Sequence, residues 1–120
     1  MEFYELNIWK KGYELLLEVY QLTATYPKEE KYNLISQSRS SANSIIAQIA
    51  EACGRYSFAD KIRVLYQSRG ESEETRSHLR VAYGLKYINK EMFEHLDSEY
   101  RGLGAGINSY IKSLSKYKKH

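Results

Sequence analysis

The chain has 120 residues, 42% hydrophobic and 28% charged, an ordinary globular composition that suits one domain over 1–120 with a single core. One proline and seven glycines argue against long disordered stretches, the lone Cys53 cannot form an internal disulfide or a cysteine-based zinc site, and no apolar run approaches the roughly 18–20 residues of a membrane span. The net charge of +3 is mild but uneven, with six Lys/Arg against eight Asp/Glu in residues 1–60 and twelve against seven in 61–120.

Met1-Glu2-Phe3-Tyr4-Glu5 has no basic segment followed by an apolar one, so no secretory leader is expected, and the expected setting is soluble and cytoplasmic. Strand signals are missing throughout, and helix signals recur between short breaks. A first helix is expected from about Glu5 to Thr25, with Leu6, Trp9, Tyr13, Leu16 and Tyr20 on one stripe at three- and four-residue steps. Leu15, Leu17, Val19 and Leu22 widen the apolar surface beyond that stripe, which implies more than one neighbour. Tyr26-Pro27 ends the helix, because the residue before proline is pushed out of the α region.

The second helix is expected from near Lys31 to Gly54, with Ile35, Ser38, Ala42, Ile45, Ile49 and Ala52 as its seam and Gly54 as a glycine free to take positive φ. Ser57-Phe58-Ala59-Asp60 reads as an N-cap with an acid at its third position, so a third helix starts at Phe58. It uses Ile62, Leu65, Leu79 and Ala82 and ends near Gly84. Asn89 caps a fourth helix, whose apolar face is Leu96, Leu103, Ile107, Tyr110, Ile111 and Leu114. All connections are short, so the expected fold is all-α, an antiparallel up-down-up-down four-helix bundle.

Gln67 to His78 contains no apolar residue, and Ser36 to Ser41 is a similar gap in the second helix. If the intervening turn centres on Tyr56, position 37 faces 76 and position 41 faces 72, so the gaps coincide as a polar layer at mid-height. Arg39 would then lie beside Glu74, and Glu51 beside Lys61 or Ile62. Such a layer is either a satisfied structural network that fixes register or part of a binding surface.

Candidate chemistry is sparse. A di-iron bundle needs Glu-x-x-His on two helices, whereas Glu74/His78 and Glu91/His95 are each four apart, so no metal or cofactor is expected. There is no Gly-x-Ser-x-Gly elbow, and Cys53 reads as a packing residue. Gly102-Leu103-Gly104-Ala105-Gly106 lacks the strand and lysine of a phosphate loop and reads better as a close helix contact or local kink. Lys112, Lys116, Lys118 and Lys119 fall in the last nine residues with no acid among them. They suit a polyanion, although cations also complement a helix C-terminus. Of the twelve tyrosines, Tyr13, Tyr20 and Tyr110 sit at expected seam positions, and Tyr117 among the lysines is the best exposed stacking ring.

The stretch Ser36-Gln37-Ser38-Arg39-Ser40-Ser41-Ala42-Asn43-Ser44-Ile45-Ile46-Ala47-Gln48-Ile49-Ala50-Glu51-Ala52-Cys53-Gly54-Arg55 resembles the signature of the four-helix-bundle proteins known from intervening sequences in bacterial 23S ribosomal RNA genes. Leu6-Asn7-Ile8-Trp9-Lys10-Lys11, Tyr26-Pro27-Lys28-Glu29-Glu30, Leu65-Tyr66-Gln67-Ser68-Arg69-Gly70 and Gly84-Leu85-Lys86-Tyr87-Ile88 agree with it in order. The resemblance implies a left-turning bundle assembled as a homopentameric ring. It also implies a distant similarity to the nucleic-acid-binding accessory variability determinant of diversity-generating retroelements. It implies no catalytic residues. Where such proteins usually have leucines in the third helix this chain has Ser72 and Thr75, and where they have proline in the second it has Ile46, which should leave that helix straighter.

The reading that follows is a non-enzymatic homo-oligomer that binds nucleic acid, RNA in particular, with Arg55, Arg69, Lys112, Lys116, Lys118 and Lys119 as phosphate contacts and Tyr117 as a stacking ring. The alternative is a scaffold or accessory subunit whose partner is a polypeptide.

Overall fold

The computed structural model describes residues 1–117 and consists of four helices, α1 (Asn7–Thr23), α2 (Ser36–Gly54), α3 (Phe58–Gly84) and α4 (Lys90–Ser115), with no strand among the described residues. Local chemistry sets their ends. Ser57 Oγ accepts the Asp60 amide at 3.1 Å and starts α3, and Asn89 Oδ1 accepts the Met92 amide at 2.7 Å and starts α4. The second helical run begins before α2, with a 3-10 turn over Lys28–Glu30 and a π-helical stretch over Lys31–Ile35, and then continues unbroken through Ile46.

The glycine expected to turn left-handed does not. Gly54 is the last helical residue of α2, and Arg55 leaves in an extended conformation. The left-handed position follows α3 instead, at Lys86 with φ 67°. There the Tyr87 amide donates to the Ala82 carbonyl at 2.9 Å and the Lys86 amide to that of Tyr83 at 3.0 Å, which closes the helix end as a Schellman motif does.

Side-chain contacts tie the helices to one another. Between α2 and α3, Ser41 meets Thr75 and Ser68 meets the Ile45 carbonyl. Between α3 and α4, Arg69 meets Asn108 and Arg76 meets Asp97. Between α1 and α4, Lys11 pairs with Glu99 and Glu18 with His95. All four helices contribute to one core that includes Leu15, Ile45, Ile49, Leu65, Leu96, Tyr100 and Ile107. α1 and α2 approach closely at Gly12, where an added Cβ would lie 2.4 Å from Ile46 Cγ2.

The expected α1 stripe has the right period and the wrong phase. Of its members only Leu16 is buried, Leu6 and Trp9 are half-buried, and Tyr13 and Tyr20 are 44% and 46% exposed. The core face is Gly12, Leu15, Leu16, Val19 and Thr23. Tyr110 is half-buried, and the tyrosines inside the core are Tyr26 and Tyr100.

The mid-height polar layer is built from hydroxyls. Ser38, Ser41, Ser68, Ser72 and Thr75 are buried. Ser41 and Thr75 share a 2.8 Å hydrogen bond, Ser68 donates to the Ile45 carbonyl at 2.7 Å, and Ser72 donates to that of Tyr100 at 3.1 Å. Arg39, Glu51 and Glu74 are not members. Arg39 donates to Thr23 Oγ1 at 2.8 Å and to the Tyr20 carbonyl at 3.3 Å, while Glu51 pairs with Arg55 and exposed Glu74 lies 3.5 Å from His78. A hydroxyl is short enough to be satisfied by a helix carbonyl inside the core, whereas a charge there loses its hydration and turns outward instead.

Candidate nucleic-acid interface

Six basic residues of α3 and α4 share one face because of helical spacing. On α3, Arg69, Arg76 and Arg80 recur at steps of seven and four, so they share a ridge, and each leans towards α4. Arg69 donates to Asn108 Oδ1 at 2.7 Å, Arg76 donates to Asp97 at 2.8 and 3.3 Å, and the Arg80 guanidinium lies 5.0 Å from the Phe93 ring centre. On α4, Arg101, Asn108, Lys112 and Lys116 follow at steps of seven, four and four and form the facing ridge.

Charge along this face is graded. Glu73, Glu94 and Asp97 occupy the half nearer the α3–α4 turn, and Arg76 is neutralised there by Asp97 and Glu73. The Arg76 guanidinium holds the Asp97 carboxyl below the usual carboxylate range. From Arg101 onward the α4 ridge carries no acid, and the sequence has none after Glu99. Arg69, Lys112 and Lys116 make no ion pair among the described residues, and Arg101 is largely exposed although 3.6 Å from Asp97. The run from Arg101 to Lys116 is roughly 22 Å of helix at about 1.5 Å per residue.

The expected contacts divide accordingly. Arg69, Lys112, Lys116 and Tyr117 fall on this acid-free half or at its end, and Arg101 joins them, unanticipated. Arg55 does not. It sits on the α2–α3 turn between Glu51 and Asp60, both of which bind it, so its charge is balanced locally. Asp60 is in turn held by Arg63 at 2.7 Å, which lowers its pKa. Lys118 and Lys119 lie outside the described residues.

Beyond Lys116 the surface becomes aromatic. Tyr117 is 54% exposed, its ring centre lies 5.5 Å from that of Phe58, and the Lys116 amine lies 5.4 Å from it. Tyr56, at the tip of the α2–α3 turn, is 100% exposed. Tyr56, Ser57, Phe58, Ala59 and Tyr117 line a shallow hollow, and Phe58 also borders a recess of about 160 Å³ that reaches Cys53, Leu65 and Leu114. The Lys61 amine at that recess donates to the Ala52 and Cys53 carbonyls at 3.3 and 3.0 Å and so caps the end of α2. Burial pushes the Cys53 thiol up, away from the thiolate a nucleophile needs.

No group of three His, Cys, Asp or Glu side chains is arranged to hold a metal ion among the described residues. His95 meets Glu18 of α1 at 3.1 Å, not its helical neighbour Glu91. α4 stays helical through the glycine run, and a Cβ on Gly106 would lie 3.2 Å from Ile8 Cγ2, one on Gly104 3.7 Å from Ser72 Oγ, and one on Gly102 in open space. No helix among the described residues is long and apolar enough to cross a membrane.

Comparison with known proteins places these features in a family. The family model described as 23S rRNA-intervening sequence protein matches residues 4–109, which takes in Arg55, Arg69 and Arg101 and stops short of Lys112. Among solved structures, the 1.70 Å crystal structure of a protein with unknown function from the S23 ribosomal protein family of Bacteroides thetaiotaomicron VPI-5482 is 27% identical. The similarity covers 88% of this chain and 95% of that one, with a TM-score of 0.81. No curated protein matches the chain.

Proposed function

The chain belongs to the 23S rRNA-intervening sequence protein family, and from that premise we propose that it is a non-enzymatic, cytoplasmic RNA-binding protein that works as a homo-oligomer. Each copy is an up-down-up-down four-helix bundle, and the copies form a ring, a homopentamer in keeping with the family resemblance. RNA phosphates lie along the α3–α4 face, on Arg69, Arg101, Lys112 and Lys116.

The observation that carries this reading is the graded charge of that face, whose α4 ridge holds Arg101, Lys112 and Lys116 with no carboxylate from Arg101 onward, and which Arg69 faces from α3. A polyanion gains by releasing condensed counterions to such a surface, and each neutralised phosphate steepens the log–log salt dependence by about 0.7 for a single strand and 0.9 for a duplex. A ring multiplies that charge. The copies meet through the outer face of α1, where Tyr13, Leu17 and Tyr20 remain 44–46% exposed beside Trp9, an apolar stripe that a partner would cover.

Light scattering of the purified protein, before and after nuclease treatment, tests both parts. The reading requires a mass several times the 14.0 kDa of one chain and nucleic acid that leaves on digestion. A monomer free of nucleic acid contradicts it. The second reading, a scaffold with a polypeptide partner, draws on Val81, Leu85 and Met92, which are 47%, 50% and 40% exposed at the opposite end. A partner protein retained after nuclease treatment favours it.

A further inference from the structure

The acid-free ridge leads directly into exposed rings. Asn108, Lys112 and Lys116 step along α4 one turn at a time, and the next residue, Tyr117, is paired with Phe58 across the gap to α3. Two residues before Phe58, Tyr56 stands fully in solvent. The rings buried in the core serve packing, but these three leave ring surface in water beside the cations. Arg69, on the facing α3 ridge, is itself stacked over Tyr66 at 4.9 Å, and Tyr66 is 47% exposed.

Cations alone would suit any polyanion. The rings narrow the choice, because a base offers its face to a side chain only when it is unpaired and unstacked, whereas A-form RNA presents phosphates and hydroxyls and keeps base faces inside. We infer that the ligand of this surface is single-stranded nucleic acid, its phosphates on Arg69, Lys112 and Lys116 and its unpaired bases stacked on Tyr56 and the Phe58–Tyr117 pair. The inference rests on the phosphate-binding reading above and adds the class of ligand and the contacts at Tyr56 and Phe58.

The test is fluorescence anisotropy of the full-length chain with two probes, an unstructured single-stranded RNA and a blunt RNA duplex of equal strand length. Wild type, Tyr56→Ala, Tyr56→Phe and a Lys112→Ala/Lys116→Ala pair are compared. Because Tyr56 is fully exposed, its truncation leaves the core untouched. The single strand is expected to bind more tightly than the duplex. Tyr56→Ala should weaken the single strand by about 5- to 150-fold, the range of base–aromatic stacking. It should leave the duplex unchanged, while Tyr56→Phe retains wild-type affinity and the lysine pair weakens both probes.

If Tyr56→Ala changes neither probe while the lysine pair still weakens both, the inference fails and the phosphate reading survives. If neither probe binds wild type, both fail. A change of solution mass in Tyr56→Ala would mark this end as a contact between copies, and loss of a nuclease-resistant protein partner would mark it as a polypeptide site; either overturns the inference.

Discussion

Arg76 on α3 and Asp97 on α4 form an ion pair whose carboxylate is buried, with Nε 2.8 Å from Oδ1 and the Asp97 side chain only 9% exposed. The pair joins the two helices at the acidic half of the face whose other half is left to free cations. Hydrogen bonding from Arg76 depresses the Asp97 pKa against the opposing effect of burial, so the folded state binds this proton less readily than the unfolded chain.

A depressed carboxylate contributes stability that is present above its unfolded pKa, about 3.9 for aspartate, and is lost as pH falls through the lower folded value. Acid unfolding should therefore steepen below about pH 4. Asp97→Asn should flatten that limb, and Asp97→Ala at neutral pH should cost about 1.5–3 kcal/mol, the range for hydrogen bonds to a charged group. Urea melts across pH give both. An unchanged acid limb in Asp97→Asn contradicts the assignment.

Gly12→Ala should destabilise by about 1–3 kcal/mol despite alanine's better helix propensity, because the new methyl would lie 2.4 Å from Ile46 Cγ2 on a branched, stiff side chain. Gly12→Ala/Ile46→Ala should be less destabilised than the two single costs predict. A double-mutant cycle in thermal melts measures the coupling, and additivity would place the close approach elsewhere.

Ser72 fits where a larger side chain would not. It donates to the Tyr100 carbonyl, and Gly104 of α4 passes close enough for an added Cβ to stand 3.7 Å from Ser72 Oγ. Ser72→Leu should therefore lower stability by about 1–3 kcal/mol through overpacking, although leucine is the more hydrophobic residue. A rise in melting temperature would show that α3 and α4 have room to separate here.

Lys86 occupies the left-handed position that closes α3, where a side chain costs roughly 1–2 kcal/mol. Lys86→Gly removes that cost and adds some unfolded-state entropy, so a net gain of about 0.5–1 kcal/mol is expected. A destabilised variant would mean that the lysine side chain contributes something the backbone motif does not.

Period was more legible in the sequence than phase. The three- and four-residue recurrences located all four helices, yet α1 has apolar residues around most of its circumference, so Trp9, Tyr13 and Tyr20 could not be told from Leu15 and Val19 as the inner set. The coincidence of polar gaps on α2 and α3 located the hydroxyl layer, because short serines and threonines stay where the helix puts them. Arg39, Glu51 and Glu74 escaped the same argument because long charged side chains choose partners by reach, and Arg39 reached α1. In the candidate site, the lysines and Tyr117 were visible as a cluster in sequence. Arg101 was hidden because it joins Lys112 only through helical register, and Tyr56 because a turn residue has no periodicity to betray it.

The central claim is that phosphates are held by the acid-free half of the α3–α4 face, and the salt dependence of RNA affinity in wild type and in an Arg69→Glu/Lys112→Glu variant tests it most directly. Affinity for a single-stranded RNA should fall log-linearly with salt, and the variant should bind more weakly at low salt with a slope shallower by about 1.4, two phosphates at about 0.7 each. An affinity independent of salt, or a slope the same in both proteins, would contradict the account.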